Sequence, residues 1–216
     1  ALWVSDLFME RVNRENADWT LFCPSECGIL NDLVGDEFKK EYEKLEKDKE
    51  IRKTTVKARD VWKAMLSSQV ETGTPYVLFK DACNKKSNQK NLGTIRSSNL
   101  CTEIVQYSSP KETAVCNLAS LCLPNFLIDG TLDFAKLMQC TATLVVNMNK
   151  VINFNRYPTG EAYHSNMKHR PIGIGVQGLC DAFQMLGMVY GSEEAIALDK
   201  LIFETIYYAA VKESCR

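Results

Sequence analysis

The chain has 216 residues, 45% of them hydrophobic and 25% charged, with a formal net charge of -1. That length can bury a substantial core, and the near balance of charge excludes the basic excess of a dedicated nucleic-acid or anionic-membrane binder. No apolar run is long enough to span a bilayer, because the stretch around Leu144-Val145-Val146 is soon broken by Asn147 and Asn149.

In chain order, Leu2, Val4, Leu7, Phe8 and Val12 predict a helix from the first residues onward. From about Asp36 to Ile51 the chain is dominated by Lys and Glu, with Phe38, Tyr42 and Leu45 at helical spacing. This reads as a solvated helix with a thin apolar stripe. A second helix is expected from about Thr55 to Val70, ended by Gly73 and Pro75. Residues 1–75 are thus expected to be mainly helical. Tyr76-Val77-Leu78-Phe79 suits a buried strand, and a polar loop with Lys85, Lys86 and Lys90 follows, read as solvated. Thr94-Ile95, Ile104-Val105 and Ala114 to Leu118 read as further short strands. Thr131 to about Ile152 predicts a long amphipathic helix and Leu179 to Leu186 a short one. Ser192 caps another that opens with Glu193-Glu194. Strands alternating with helices give an α/β class, with 1–75 and 76–216 expected to form one continuous domain.

The first residues, Ala1-Leu2-Trp3-Val4-Ser5-Asp6, lack the basic start and long apolar core of a secretory signal. Both ends fall inside helical patterns, so the chain is read as an internal fragment. The nine cysteines are Cys23, Cys27, Cys83, Cys101, Cys116, Cys122, Cys140, Cys180 and Cys215. Their odd number and wide spread suit a reducing, cytoplasmic compartment, with most thiols serving as buried hydrophobes. Cys122, Cys140, Cys180 and Cys215 sit in apolar patterns and are expected to pack. Cys23 and Cys27 could join His164 and His169 as zinc ligands only across a gap far longer than a zinc finger's, so no metal site is expected. Gly173-x-Gly175-x-x-Gly178 has the spacing of a dinucleotide fingerprint, yet His169-Arg170-Pro171 stands where the preceding strand should be.

Asn99, Cys101 and Glu103 are spaced two residues apart. An extended segment would put all three on one face, offering an amide, a thiol and a carboxylate able to act as general base. A strand with a polar wet side would look the same, so spacing alone leaves the chemistry open.

The flanking runs are more specific. Glu71-Thr72-Gly73-Thr74-Pro75-Tyr76, Asn91-Leu92-Gly93-Thr94-Ile95, Ser98-Asn99-Leu100-Cys101-Thr102-Glu103-Ile104 and Ala114-Val115-Cys116-Asn117-Leu118-Ala119-Ser120 occur in order. His169-Arg170-Pro171-Ile172-Gly173-Ile174-Gly175-Val176-Gln177-Gly178-Leu179 and Ile202-Phe203-Glu204-Thr205-Ile206-Tyr207-Tyr208 follow. Together they resemble the catalytic large subunit of class I ribonucleoside-diphosphate reductases, in its eukaryotic type, over essentially the whole chain.

The resemblance implies part of a ten-stranded α/β barrel with flanking helices, a catalytic loop around residues 95–105 and Cys116 on a strand beside it. The glycine run would be a structural turn into a helix. Cys101 would carry a transient thiyl radical that removes the ribose 3′ hydrogen, and Glu103 would take the 3′-hydroxyl proton. Asn99 would hold the substrate hydroxyls, with Asn99, Leu100 and Glu103 as the substrate-binding set. Cys116 would be one half of a redox-active pair whose partner lies upstream of this chain, and both cysteines would face one cavity. No cofactor is expected on this fragment: a metal-containing small subunit would supply the radical, and ATP and dNTP effectors would bind elsewhere. Implied partners are that small subunit, a nucleoside diphosphate, thioredoxin or glutaredoxin as reductant, and a second large subunit. Neither nucleic acid nor membrane is among them. The fragment alone would be inactive. Tyr207-Tyr208 lacks the context of the family's radical relay and reads as two aromatics packed by a helix. Two other readings stay open on the residues: a dithiol oxidoreductase without radicals, and a non-catalytic α/β scaffold.

Overall fold

A computed structural model describes residues 1–216 and divides them into two compact units, Ala1–Glu112 and Thr113–Arg216.

The first unit opens with strand β1 (Leu2–Val4) and helix α1 (Asp6–Asn13). Strand β2 (Asp18–Phe22), helix α2 (Gly35–Lys47), strand β3 (Lys53–Lys57) and helix α3 (Ala58–Thr72) follow. Strand β4 (Val77–Phe79) and helix α4 (Lys80–Lys86) come next. The mainly helical reading of residues 1–75 therefore misses three strands. Leu2 to Val4 are extended because they pair in parallel with Val77 to Phe79. The helix starts only after Ser5, whose hydroxyl accepts the Phe8 N–H at 3.3 Å. Thr54, Thr55 and Val56, all β-branched, join the antiparallel β2–β3 pair, which delays α3 to Ala58. Gly73 ends α3 in the left-handed conformation expected of a helix C-terminus.

Two apolar clusters hold this unit. Val4, Phe8, Val12 and Ala58 form one, and Leu7, Phe38 and Tyr42 the other. Trp19 stacks on Tyr42 at 4.4 Å between centroids. One carboxylate ties three helices together. Asp81, on α4, accepts the N–H of Asp6 and that of Gly35, each at 2.6 Å. Those are the first residues of α1 and α2, where unpaired amides and the helix dipole favour an anion.

In the second unit, strands β5 (Leu118–Cys122), β6 (Leu127–Ile128) and β7 (Thr131–Leu132) precede helices α5 (Phe134–Phe154) and α6 (Gly160–His169). Strand β8 (Gly173–Gln177) and helices α7 (Leu179–Met185) and α8 (Glu193–Ser214) complete it. Helix α5 packs along α8 over a core of Leu121, Leu123, Phe126, Leu132, Leu137, Ala182, Ile202 and Ile206. Asp133, Thr159 and Ser192 each accept a backbone N–H at a helix start.

The class is mixed α/β, but no barrel closes. The strands form four two-stranded sheets: β1–β4 and β5–β8 parallel, β2–β3 and β6–β7 antiparallel. The glycine run is itself strand β8, with Gly178 as the turn into α7, rather than a turn throughout. A Cβ on Gly173 would stand 2.6 Å from the Leu118 side chain, and one on Gly178 would stand 2.7 Å from Pro124. These glycines admit close packing against β5 and the turn after it.

Candidate functional site

The segment from Thr94 to Tyr107 is irregular, so neither Thr94-Ile95 nor Ile104-Val105 is a strand. It enters past Asp32, where Thr94 donates its hydroxyl to the carbonyl at 2.8 Å and Arg96 pairs with the carboxylate. Ile95 is fully buried. Beyond it the chain turns back on itself. The Asn99 N–H donates to the Ile104 carbonyl at 3.4 Å, and the Ile104 N–H returns to the Asn99 side-chain oxygen at 3.0 Å.

The expectation that Asn99, Cys101 and Glu103 share one face of an extended segment is therefore corrected. The backbone is a turn: the Thr102 N–H donates to the Asn99 carbonyl at 3.3 Å, and Thr102 has φ +70°. A side-chain period of two does not survive a left-handed residue. The turn nevertheless brings two of the three together. Asn99 Nδ2 donates to Glu103 Oε1 at 2.6 Å, while Cys101 occupies the exposed apex between them. The Thr102 hydroxyl bonds the Cys101 carbonyl at 2.6 Å. Leu100 is 80% exposed. A cleft of about 130 Å³ at the foot of the loop is lined by Trp3, Leu78, Ser97, Ser98, Asn99 and Leu100. The Trp3 indole N–H is buried without a hydrogen-bond partner.

Cys116, in the second unit, lies two residues before β5 instead of on a strand, and it is exposed. The next residue, Asn117, is buried and bonded to residues 166–173. Its carbonyl accepts the Gly173 N–H at 2.9 Å, and its amide donates to Asn166 Oδ1 at 2.6 Å and to the Pro171 carbonyl at 2.8 Å. Asn166 in turn bonds the Tyr157 hydroxyl, which donates to the Ile152 carbonyl at 2.8 Å. The network fixes the backbone directly after Cys116. The sequence places Asn117 only within an expected strand, where a polar residue inside an otherwise apolar run is the signal of its role.

Of the four thiols expected to pack, three do not. Cys27 is buried, whereas Cys140, Cys180 and Cys215 are exposed and Cys122 is half-buried. Cys23 and Cys27 differ in chemistry. The Ser25 hydroxyl and N–H, with Arg52 at 3.7 Å, hold the Cys23 thiol below its ordinary range, and burial pushes Cys27 up. Tyr207 and Tyr208 are not packed by their helix: they are 69% and 53% exposed on α8. Tyr207 lines a cavity of about 630 Å³ with Asn149, Arg170, Ile174 and Phe203, which contains none of the expected site residues.

A family model described as ribonucleotide reductase, barrel domain, matches residues 1–216. The chain is 58% identical over 218 residues to a protein of Neurospora crassa named ribonucleoside-diphosphate reductase large chain, covering 100% of this chain and 23% of that protein. It is 57% identical over 215 residues to a Variola virus ribonucleoside-diphosphate reductase large subunit, covering 100% of this chain and 28% of the relative. An Arabidopsis thaliana large subunit is 56% identical over 234 residues, covering 99% of this chain and 28% of the relative. The chain thus spans about a quarter of the length of the curated relatives it matches. No helix is long and apolar enough to cross a membrane.

Proposed function

This chain belongs to the ribonucleotide reductase family, in the part described as its barrel domain, and on that premise we propose that its 99–103 turn is the radical site of a cytoplasmic ribonucleoside-diphosphate reductase large subunit. The observation that carries the reading is the Asn99–Glu103 bond, which sets an amide and a carboxylate beside the apex thiol of Cys101. Cys101, as a thiyl radical, takes the 3′ hydrogen atom of a ribonucleoside diphosphate. Glu103 takes the 3′-hydroxyl proton, so that electron density moves toward C2′ and the 2′-hydroxyl, once protonated, leaves as water. Asn99 holds both Glu103 and the substrate hydroxyls, with Leu100 against the nucleoside. Cys116 and a cysteine outside this chain supply two electrons as they close to a disulfide, and Cys101 returns its hydrogen to C3′. Net, one ribonucleotide and two thiols give one deoxyribonucleotide, one disulfide and water, providing DNA precursors.

The radical originates on a metal-containing small subunit, and thioredoxin or glutaredoxin restores the dithiol. ATP and dNTP effectors act on segments outside this chain, and the large subunit works as a dimer or higher. The parallel pairs β1–β4 and β5–β8 belong to a ten-stranded barrel that other segments complete, and the 216 residues alone turn over no substrate.

The test uses the complete reductase. Glu103→Gln is expected to lower turnover by about 10²–10⁴-fold, with Cys101 and Cys116 still oxidisable by a disulfide reagent, and Cys101→Ser is expected to abolish it. Undiminished nucleotide reduction in either variant would reject the assignment; in Glu103→Gln alone it would favour a plain dithiol function, which needs Cys101 but no general base.

A further inference from the structure

The turn that presents Cys101 leaves and rejoins the first unit at two points, and side chains from residues 84–93 hold both. At the entry, the buried amide of Asn84 takes both backbone groups of Ile95. Its Oδ1 accepts the Ile95 N–H at 2.8 Å, and its Nδ2 donates to the Ile95 carbonyl and to the Lys80 carbonyl, both at 3.0 Å. At the exit, Gln89 Oε1 accepts the Tyr107 N–H at 2.8 Å. Gly93 completes the exit with φ +151°: a Cβ there would stand 2.6 Å from Tyr107 Cε2, so the ring closes directly over bare backbone.

These groups lie outside the two apolar clusters that hold the unit together. None of Asn84, Gln89, Gly93, Ile95 or Tyr107 belongs to either. A buried amide that serves the N–H and the carbonyl of one residue replaces the strand partner that this irregular segment lacks. Its effect is to fix the base of residues 96–106 where no sheet does so.

We infer that Gln89 and Asn84 are positioning residues for the radical step: they hold both ends of the loop so that the Cys101 sulfur meets the ribose 3′ hydrogen at a set distance. The inference rests on the reading of Cys101 and Glu103 above. Neither residue touches the reacting atoms. Each acts through the loop, where a misplacement of about 1 Å can cost about 10²-fold in rate.

The experiment compares Gln89→Leu and Gln89→Glu in the complete reductase, with a ribonucleoside diphosphate carrying hydrogen or deuterium at C3′. Leucine keeps the bulk and loses the acceptor; glutamate keeps an acceptor oxygen. Gln89→Leu is expected to lower kcat by about 10-fold or more and to raise the deuterium isotope effect on kcat, because hydrogen transfer becomes slower than the steps that normally hide it. Gln89→Glu is expected to restore both. A lowered kcat with an unchanged isotope effect would mean only a smaller active fraction and would overturn the inference, as would wild-type behaviour in Gln89→Leu. Asn84→Asp, which keeps the acceptor for Ile95 N–H and removes the donor to its carbonyl, carries the same comparison if Gln89→Leu does not fold. Cys101→Ser run alongside separates the two ideas. If it turns over normally, the site itself is misassigned; if it is inactive while Gln89→Leu is normal, only the positioning role falls.

Discussion

Lys80 is 4% exposed, donates to the Leu30 carbonyl at 2.7 Å and lies 4.7 Å from the Phe38 ring centroid. Burial pushes its ammonium down to about 8, against the pull of Asp81 and Asp32. Between that value and the unfolded one near 10.4, the unfolded chain binds more protons than the folded one, so stability rises with pH. The penalty is fully present below about pH 8 and disappears above the unfolded pKa. Wild type is therefore expected to gain on Lys80→Met by up to about 3 kcal/mol from pH 7.5 to 10.5, read as the difference between urea unfolding curves; parallel pH profiles would contradict the shift. Residue types at the candidate site were legible in the sequence, and their arrangement was not. Nothing local announces that Thr102, a β-branched residue, takes φ +70°, a cost of order 1–3 kcal/mol that surrounding structure must offset. Asn84 and Gln89 were equally hidden, because an amide in a polar stretch looks the same whether it meets water or a loop backbone.

At the level of elements, the long helices were readable where periodicity ran for several turns, as in α2, α5 and α8. Short strands were not: β1, β2 and β3 depend on partners distant in sequence, and three to five residues carry too little pattern. The α5–α8 pair is the main element contact of the second unit, and it separates capping from packing. Ser192→Ala removes the side chain that accepts the Ala195 N–H at 3.2 Å and should cost about 1 kcal/mol. Ile202→Ala empties a fully buried site between the helices and should cost about 2–5 kcal/mol. Chemical denaturation of both variants checks the ordering, and equal losses would mean that Ile202 is not central to this core.

For the molecule as a whole, the parallel pairs β1–β4 and β5–β8 stand as two-stranded sheets, although parallel strands normally lie inside larger sheets. The relatives are roughly four times longer, and segments beyond these residues are the natural neighbours. Amides on the outer edges of β1, β4, β5 and β8 are accordingly expected to exchange with deuterium at least about 10²-fold faster in the isolated 216-residue chain than in the full-length protein, each 1.4 kcal/mol of local opening being tenfold. Equal protection in both would show that the edges are covered within these residues. Asp81 bears on a different matter, the order in which the chain is made. The helix starts that it serves lie 75 and 46 residues before it. On the ribosome, α1 emerges capped only by Ser5 at Phe8, and the amides of Asp6 and Gly35 meet their carboxylate only once α4 has been synthesised. A nascent chain stalled before residue 81 would therefore lack the one side chain that joins these two helix starts.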